Sequence, residues 1–217
     1  MRALSETDLR VTQPLYTLSE TARLLELPRS TMHAWAFPID GPPLITIVRK
    51  AGYGATVPFI GFAEAFVISM ARRAGVPRRR IRPNVEAVQT RAGGVPHALA
   101  HRLVFTDGAE ILLAHAGEDD LSVPRTWQQQ MRLTVENQLR LISFAGDGYA
   151  ERIRLPKYEV AEVTVDPKVA SGRPLIESGG ARVEDVISRY RAGDSIESIA
   201  SDFEVRIEEV RELIGYA

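Results

Sequence analysis

The 217-residue sequence contains no cysteine. This absence excludes disulfide-stapled folds, thiolate zinc sites and cysteine nucleophiles, and it leaves the redox compartment undetermined. The sequence also lacks an apolar run of the roughly 18 residues that a membrane span requires. Its first 15 residues show no basic-then-apolar signal pattern. We therefore expect a cytoplasmic protein that has no membrane partner.

The motifs of common enzyme classes are missing as well. The sequence has no nucleophile elbow, phosphate-binding loop or dinucleotide fingerprint. His97 and His101 are four residues apart, which suits a metal site on a helix, but Pro96 precedes them and no acidic residue stands at a third-ligand position. We expect ordinary surface or core histidines. The sequence predicts a protein that is not an enzyme, with no catalytic residue, metal or cofactor.

Charges of opposite sign are concentrated in the two halves of the chain, although the net charge is only −1. Residues 1–100 contain 13 Lys or Arg and seven Asp or Glu, whereas residues 101–217 contain 14 and 21. A basic half followed by an acidic half indicates one surface for a polyanion and another for a different partner. Chance segregation is the alternative.

The first hundred residues contain a helix-turn-helix pattern. Thr17 and Glu20 form the sequence of a capping box, which predicts a helix over residues 17–26. Leu27-Pro28 ends that helix, because proline disfavours the helical conformation in the residue before it. Proline also suits the start of a new helix, predicted over residues 29–35.

A wing and two further helices follow this pattern. The β-forming segments 44–48 and 56–59 flank a glycine-containing basic turn, which predicts a hairpin. We expect a helix over Phe62–Ala74, stopped by Gly75, and another from Pro77 to about Thr90. A glycine-containing linker at 91–94 then ends a predicted first domain, residues 1–92.

This stretch of about 75 residues resembles the N-terminal domain of MerR-type regulators. The resemblance rests on Tyr16–Ala22, Ser30–Trp35, the Gly52-Tyr53 wing, the helix over residues 62–74 and Gly75-Val76-Pro77. It implies a winged helix-turn-helix that binds double-stranded DNA as a symmetric dimer.

The residue types at these positions suit DNA contacts. Arg29, Ser30 and His33 lie on the predicted outer face of the second helix, where they can reach base edges in a major groove. Backbone contacts are predicted for the other candidates, and Met32 is expected in the core. The predicted DNA-binding residues are Thr17, Arg29, Ser30, Thr31, His33, Trp35, Arg49, Lys50 and Tyr53.

A dense arginine cluster follows in the sequence. It forms either a phosphate-tracking patch or an ordinary solvated helix end, and the helix dipole alone accounts for its first two members. The cluster consists of Arg72, Arg73, Arg78, Arg79, Arg80 and Arg82.

The middle region, residues 93–159, is predicted to be mixed α/β and to contribute to dimerisation. Asp107-Gly108 predicts a hairpin between segments 102–106 and 109–114. The four-residue repeat of apolar residues over Trp127–Leu139 favours a helix that forms either a dimer interface or ordinary core. Met131, Leu133 and Val135 also alternate as in a strand, which is the alternative. A second hairpin is expected around Gly146-Asp147-Gly148.

Residues 160–217 predict an acidic domain of three short helices, at 183–191, 195–202 and 206–214. The segment from Asp166-Pro167 through Gly172–Ile176 to Leu213 resembles a small bacterial domain of unassigned function that is frequent in VapB-like antitoxins. This resemblance implies a partner toxin of the PIN-domain ribonuclease class, whose acidic site holds Mg²⁺ or Mn²⁺. Arg173 and Arg182 are the candidate toxin contacts, although Arg173 also suits a loop-stabilising role.

The last two predicted helices have helix-turn-helix spacing of their own. Glu204, Glu208, Glu209 and Glu212 surround the second of them, and such charge repels phosphate. A protein partner or self-association is therefore the better interpretation of this domain.

The sequence therefore predicts an α+β fold that is mostly α, with a winged helix-turn-helix, a hairpin-containing middle and a three-helix end. The predicted function is that of an antitoxin that neutralises a PIN-domain toxin and represses its own operon. A stand-alone MerR-like regulator that senses a ligand or protein through its C-terminal half is the alternative. A winged fold that has lost DNA binding is the third.

Overall fold

A computed structural model of the chain describes residues 4–5, 8–48, 54, 56–105, 137 and 139–216. The chain divides into two compact units, residues 1–151 and 152–217. Its class is α+β and mostly α, as predicted. The sequence-based boundaries at 92 and 159 stay predictions. Within the described ranges, no helix has the length and apolar character of a membrane span.

The described part of the first unit contains five α-helices and a short antiparallel ribbon. Its strands are β1, Pro14–Tyr16, and β2, Val57–Pro58, which pair with each other. The helices are α1 (Leu9–Thr12), α2 (Leu18–Leu24), α3 (Arg29–Ala36), α4 (Phe59–Arg73) and α5 (Arg78–Arg91).

Local hydrogen bonding determines where α2 begins. The backbone N–H of Thr17 donates to Glu20 Oε2 at 2.7 Å, and the N–H of Glu20 donates to Thr17 Oγ1 at 3.1 Å. This is the predicted capping box. The turn after α2 is closed by Glu26, whose φ of 53° is left-handed, and α3 begins at Arg29 as predicted.

Helix α4 is the centre of the first unit, since every residue from Phe59 to Ala71 is buried. The predicted start at Phe62 was wrong by three residues. A helix that is buried on all sides over its first turns has no amphipathic edge to mark its start, and Pro58, in extended conformation, directly precedes it. The predicted strand over residues 56–59 is correspondingly shorter.

The base of the wing joins the ribbon through two backbone bonds. The N–H of Val48 donates to the Thr56 carbonyl at 2.8 Å, and the N–H of Thr56 donates to the Tyr16 carbonyl at 2.9 Å. Residues 44–48 do not form the predicted regular strand, because Leu44 instead donates to the Trp35 carbonyl at the end of α3. The tip, residues 49–53, lies outside the described residues.

The middle region differs from its prediction at residues 102–105. This segment is a 3-10 helix rather than a strand. His101 pairs with Tyr149 through a β-bridge, and its ring Nδ1 then accepts the N–H of Leu103 at 3.2 Å, which turns the chain. The Asp107-Gly108 hairpin and nearly all of the Trp127–Leu139 helix lie outside the described residues.

The second predicted hairpin is confirmed. Strands β3 (Ile142–Phe144) and β4 (Ala150–Arg154) flank it, and the N–H of Ala145 donates to the Tyr149 carbonyl at 2.9 Å. Arg10 of α1 is bonded to Asp8 and to Asp147 in this hairpin turn. The hydrogen bond from Arg10 lowers the pKa of Asp8 below its ordinary value, against the opposing effect of burial.

The second unit contains the end of β4, two more strands and three helices. β4 pairs antiparallel with β5 (Val163–Val165), and β5 pairs antiparallel with β6 (Leu175–Ile176). The three predicted helices are confirmed as α6 (Val183–Arg191), α7 (Ile196–Asp202) and α8 (Ile207–Gly215). Their shared core consists of Val186, Ile199, Val210 and Leu213, all 0% exposed.

Candidate nucleic-acid interface

Helix α3 has one buried face and one exposed face. Met32 and Ala36 are 0% exposed, which confirms the interpretation of Met32 as core. Arg29, Ser30 and His33 are exposed on the other side. Because these three side chains follow one face of the second helix of a helix-turn-helix, the fold presents hydrogen-bonding groups where such motifs contact DNA.

Arg29 is held in place by the preceding helix. Its Nε donates to Ser19 Oγ at 2.9 Å, and its Nη2 bonds to the same oxygen. A guanidinium has five N–H donors, so this contact orients the group and leaves its other donors able to bond to a second acceptor. The His33 ring packs against Phe37, with centroids 5.3 Å apart.

The remaining candidates of the helix-turn-helix are placed differently. Thr17 is the N-cap of α2, and its hydroxyl accepts a backbone bond there. Thr31 and Trp35 are only 7% and 6% exposed, so their side chains lie on the inner side of α3. Arg49, Lys50 and Tyr53 lie outside the described residues. The predicted DNA contacts of all these residues stay predictions.

A cleft of about 350 Å³ opens along the inner edge of α3. Apolar side chains from α3, α5 and the intervening loop form part of its lining, and hydroxyl and guanidinium groups form the rest. The lining residues are Ser30, Thr31, Ala34, Trp35, Leu44, Arg72, Arg78, Ile81 and Arg82.

The arginine cluster divides into groups with different partners. Arg73 donates to the Leu25 carbonyl and to Glu26, both at 2.9 Å, and so ties α4 to the helix-turn-helix turn. Arg82 donates to the Pro42 carbonyl at 2.9 Å and lies 3.7 Å from Glu86. These two side chains have structural contacts that the sequence did not indicate.

Arg72 and Arg78 instead converge on one hydroxyl group. Arg72 Nη1 lies 3.5 Å and Arg78 Nη2 lies 3.3 Å from Thr31 Oγ1. Burial, and then the charge of Arg78, lower the pKa of Arg72. Among the described residues, neither guanidinium forms an ion pair with a carboxylate. Arg79 and Arg80 follow Arg78 in the first turn of α5, where Arg79 is exposed and Arg80 is half-buried.

A buried polar network lies at the base of the wing, and sequence analysis missed it. Glu64, 6% exposed on α4, accepts the backbone N–H of Thr46 at 2.5 Å. His97 Nδ1 lies 2.8 Å from Thr46 Oγ1 and 3.1 Å from Glu64 Oε1. The hydrogen bond with Glu64 raises the pKa of His97, and burial opposes it. Three residues so far apart in sequence carry no local signal of this contact.

His101 has a separate environment. Its ring is 1% exposed and meets the Tyr149 ring edge-on, with centroids 4.7 Å apart. Burial lowers the pKa of His101. Among the described residues, no group of three His, Asp or Glu side chains has an arrangement that could hold a metal ion.

The second unit repeats the backbone geometry of the first helix-turn-helix. In each motif the second helix begins eleven positions after the first, at Arg29 after Leu18 and at Ile207 after Ile196. Glu26 and Glu204 occupy the same place in the turn, and each has a φ of 53°.

Hydrogen bonds of the two turns match as well. Leu27 donates to the Ala22 carbonyl at 2.8 Å, and Val205 donates to the Ala200 carbonyl at 3.0 Å. The second pattern noted in the sequence is therefore a helix-turn-helix in geometry.

The surfaces of the two motifs have different charge. The places that Ser30 and His33 occupy in α3 are taken in α8 by Glu208 and Arg211, both exposed. Glu212 accepts the backbone N–H groups of residues 159–161 at 2.7–3.1 Å. Residues 160–217 contain seven basic and twelve acidic side chains.

The candidate toxin contacts lie in the second unit. Arg173 is half-buried, with Nη1 3.8 Å from Glu184 Oε1. Arg182 is exposed at the N-cap of α6. Gly179, in the loop between them, packs so closely that a Cβ there would lie 2.1 Å from the Phe203 carbonyl oxygen. This loop is thereby held against the turn of the second helix-turn-helix.

Comparisons with known proteins agree with this architecture. Residues 14–85 match a family described as "Putative DNA-binding HTH domain", and residues 163–217 match one described as "Protein of unknown function (DUF433)". The chain is 40% identical over 231 aligned positions to a Mycobacterium tuberculosis protein named "Putative antitoxin VapB45", covering 96% of each chain.

A solved structure is similar over almost the whole chain. It is the crystal structure of Rv2018 from Mycobacterium tuberculosis, with 38% identity and a TM-score of 0.79. The similarity covers 95% of this chain and 100% of that one. The chain therefore belongs to the VapB45-like antitoxin family, and in this chain a helix-turn-helix domain is followed by a DUF433 domain.

Proposed function

We propose that this protein is the antitoxin of a toxin–antitoxin pair, and that it binds operator DNA through its first unit and a PIN-domain ribonuclease toxin through its second. The observation that carries the DNA-binding part is the exposed face of α3. Arg29, Ser30 and His33 project from a helix whose opposite face is anchored in the core by Met32. Binding to its own promoter would repress the operon.

Arg29 is the residue proposed to read a base. Arginine is the side chain that most often contacts guanine in a major groove, and one bidentate pair contributes about 1–3 kcal/mol of discrimination. The contact with Ser19 fixes the side chain before DNA arrives, which lowers the entropy lost on binding.

Binding to a fragment of the protein's own promoter and to random duplex tests this role. Arg29→Ala is expected to lower affinity for the promoter by roughly 10- to 100-fold and to change affinity for random DNA much less. Arg91→Ala, at the exposed C-terminal end of α5, is the matched control. Equal losses on both DNAs would count against base readout by Arg29.

The second unit is proposed to bind the toxin. Its helix-turn-helix has the backbone of a DNA-binding motif but presents Glu204 and Glu208, which repel phosphate. A protein partner suits this surface better than a nucleic acid. Arg173 or Arg182 would reach the acidic, metal-holding site of the ribonuclease.

Co-expression with the product of the adjacent gene tests the toxin assignment. We expect the wild-type chain to restore growth, and Arg173→Ala or Arg182→Ala to weaken both rescue and co-purification. Arg191→Ala, on the exposed surface of α6, is the control. Full retention of toxin affinity by both variants would remove these two arginines from the proposed interface.

A homodimer is also proposed, because winged regulators act as symmetric pairs on palindromic sites. Segment 127–139 is the proposed interface. Sedimentation of the purified chain measures the state directly, and a monomer at micromolar concentration would contradict this part of the proposal.

A further inference from the structure

We propose that Arg72, Arg78 and Thr31 form a single phosphate-binding site, in the cleft beside α3, that takes one phosphate group. This inference deepens the proposed DNA-binding function, and the experiment that tests it with DNA rests on that function. It also separates two members of the arginine cluster from the other four, which the sequence could not do.

The first observation is the convergence of two cations without an anion. Both guanidiniums approach Thr31 Oγ1, at 3.5 and 3.3 Å, and neither forms an ion pair with a carboxylate among the described residues. Two like charges held close together destabilise each other unless an anion lies between them. The lowered pKa of Arg72, caused by burial and then by Arg78, is consistent with this arrangement.

The second observation concerns the hydroxyl itself. Thr31 is 7% exposed and lines the cleft, and its oxygen accepts N–H groups from both arginines. A hydroxyl also has one hydrogen to donate. Thr31 donates to no acceptor within the described part of the chain. Its hydrogen is therefore available to an anion bound in the cleft.

The third observation is the shape of the site. The cleft of about 350 Å³ is large enough for a phosphate, and Trp35, Leu44 and Ile81 give it an apolar side that lowers the local dielectric. Charge-assisted bonds from arginine to phosphate are among the strongest that proteins make. Since the site borders α3, a backbone phosphate held here would fix the position of that helix on the duplex.

A bound phosphate has two sources, a DNA backbone or a free phosphate-bearing molecule, and two experiments distinguish them. The first measures the affinity of the full chain for its promoter fragment at 50–300 mM salt. One phosphate contact contributes about 0.9 to the slope of log K against log salt, and its loss weakens binding about eightfold at 0.1 M salt. We expect that loss in Arg72→Gln and in Arg78→Gln, and none in the control Arg91→Gln.

The double variant tests whether the two arginines share one phosphate. If they do, Arg72→Gln/Arg78→Gln loses about 0.9 in slope, as each single variant does. Two arginines on two separate phosphates would lose about 1.8 together, and that result would overturn the single site. Arg72→Lys retains the charge and is expected to retain the slope. If Arg72→Gln does not fold, Arg78→Gln carries the test.

The second experiment omits DNA and follows thermal unfolding with inorganic phosphate. If phosphate raises the Tm of the wild type but not of Arg78→Gln, and the two proteins bind DNA with the same salt dependence, the site belongs to a free phosphate. If the variants bind DNA with a weaker salt dependence than the wild type, the site belongs to a phosphate of the DNA backbone.

Variants that match Arg91→Gln in both experiments would overturn the site. A wild-type chain that binds no DNA would refute the proposed function alone, because the phosphate experiment still decides the site.

Discussion

Replacing His97 by glutamine removes a hydrogen-bonded cation from the base of the wing, and the cost should depend on pH. His97 Nδ1 lies 3.1 Å from Glu64 Oε1, and the two side chains are 24% and 7% exposed. The bond with Glu64 raises the pKa of His97 above its ordinary value. The protonated imidazole is therefore favoured in the folded state over the unfolded state.

The direction of the pH dependence follows from this shift. A raised folded-state pKa gives stability that is fully present below the unfolded value of about 6.5 and is lost as pH rises through the folded-state pKa. A hydrogen bond to a charged group contributes about 1.5–3 kcal/mol, and partial exposure places this one at the lower end. We expect His97→Gln to cost about 1–2 kcal/mol more at pH 5.5 than at pH 8.5.

His101 has the opposite effect on the wild-type curve. Burial lowers the pKa of His101, so its contribution is lost as pH falls through the unfolded value, when the unfolded chain gains a proton that the folded one resists. The two histidines share no contact among those described, so His101 contributes equally to the free energy of unfolding of wild type and His97→Gln. Its contribution therefore cancels when one free energy is subtracted from the other.

Urea unfolding followed by circular dichroism at pH 5.5, 7.0 and 8.5 measures the difference. His33→Gln, which removes an exposed imidazole that packs on Phe37, is the matched control. A cost of His97→Gln that is independent of pH, or larger at pH 8.5, would refute the assigned charge state.

Three further predictions concern the backbone. Gly61→Ala should destabilise the first unit by about 3 kcal/mol or more in urea unfolding, because the added Cβ would lie 2.1 Å from the Thr46 carbonyl oxygen. In the control Gly146→Ala the added Cβ meets no atom within 4 Å, so this substitution should cost little. Thr17→Ala should lower the free energy of unfolding by about 1 kcal/mol through loss of the α2 cap, and an unchanged value would deny the capping box a role. Glu204→Gly should raise the Tm of the second unit, with a gain of about 0.5–1 kcal/mol, because glycine adopts the φ of 53° without strain; a lower Tm would contradict this account of the turn.

Features governed by neighbours in sequence could be predicted. Thr17 and Glu20 satisfy each other's backbone groups three residues apart, so the start of α2 was readable from the sequence alone. The start of α4 was not, because a helix buried on all sides has no amphipathic phase. The segment at 102–105 was misread because its turn depends on the contact of His101 with Tyr149.

The composition of the cleft could not be predicted, because it depends on contacts between distant residues. The exposed face of α3 follows from helical periodicity, and Arg29 and Ser30 are exposed as that periodicity predicts. Thr31, however, meets Arg72 and Arg78 at separations of 41 and 47 residues. A cluster of six arginines within residues 72–82 gives no sign in the sequence of different partners, and only tertiary contacts show that Arg73 holds a turn.

The spacing of the second helix-turn-helix was readable from the sequence, but residue identities did not indicate how closely its backbone repeats the first. Between 17–36 and 195–214, the positions identical in the two motifs are Ala22 with Ala200 and Glu26 with Glu204. Both identities lie at the turn, because the alanine carbonyls accept its closing N–H groups and the two glutamates adopt its left-handed φ. The other positions are free to change charge, and sequence similarity is lost while the backbone is retained.

One equivalent position shows how a shared backbone can support different partners. Thr31 of α3 and Glu209 of α8 occupy the same place in their motifs, and both are buried, at 7% and 2% exposure. Glu209 accepts bonds from Arg206 and Ser178 of its own unit, so the positive charge beside it is balanced internally. Thr31 is neutral and receives two guanidiniums whose charge it cannot balance. The proposed phosphate would balance this charge in the first motif, whereas the second motif already has the carboxylate of Glu209.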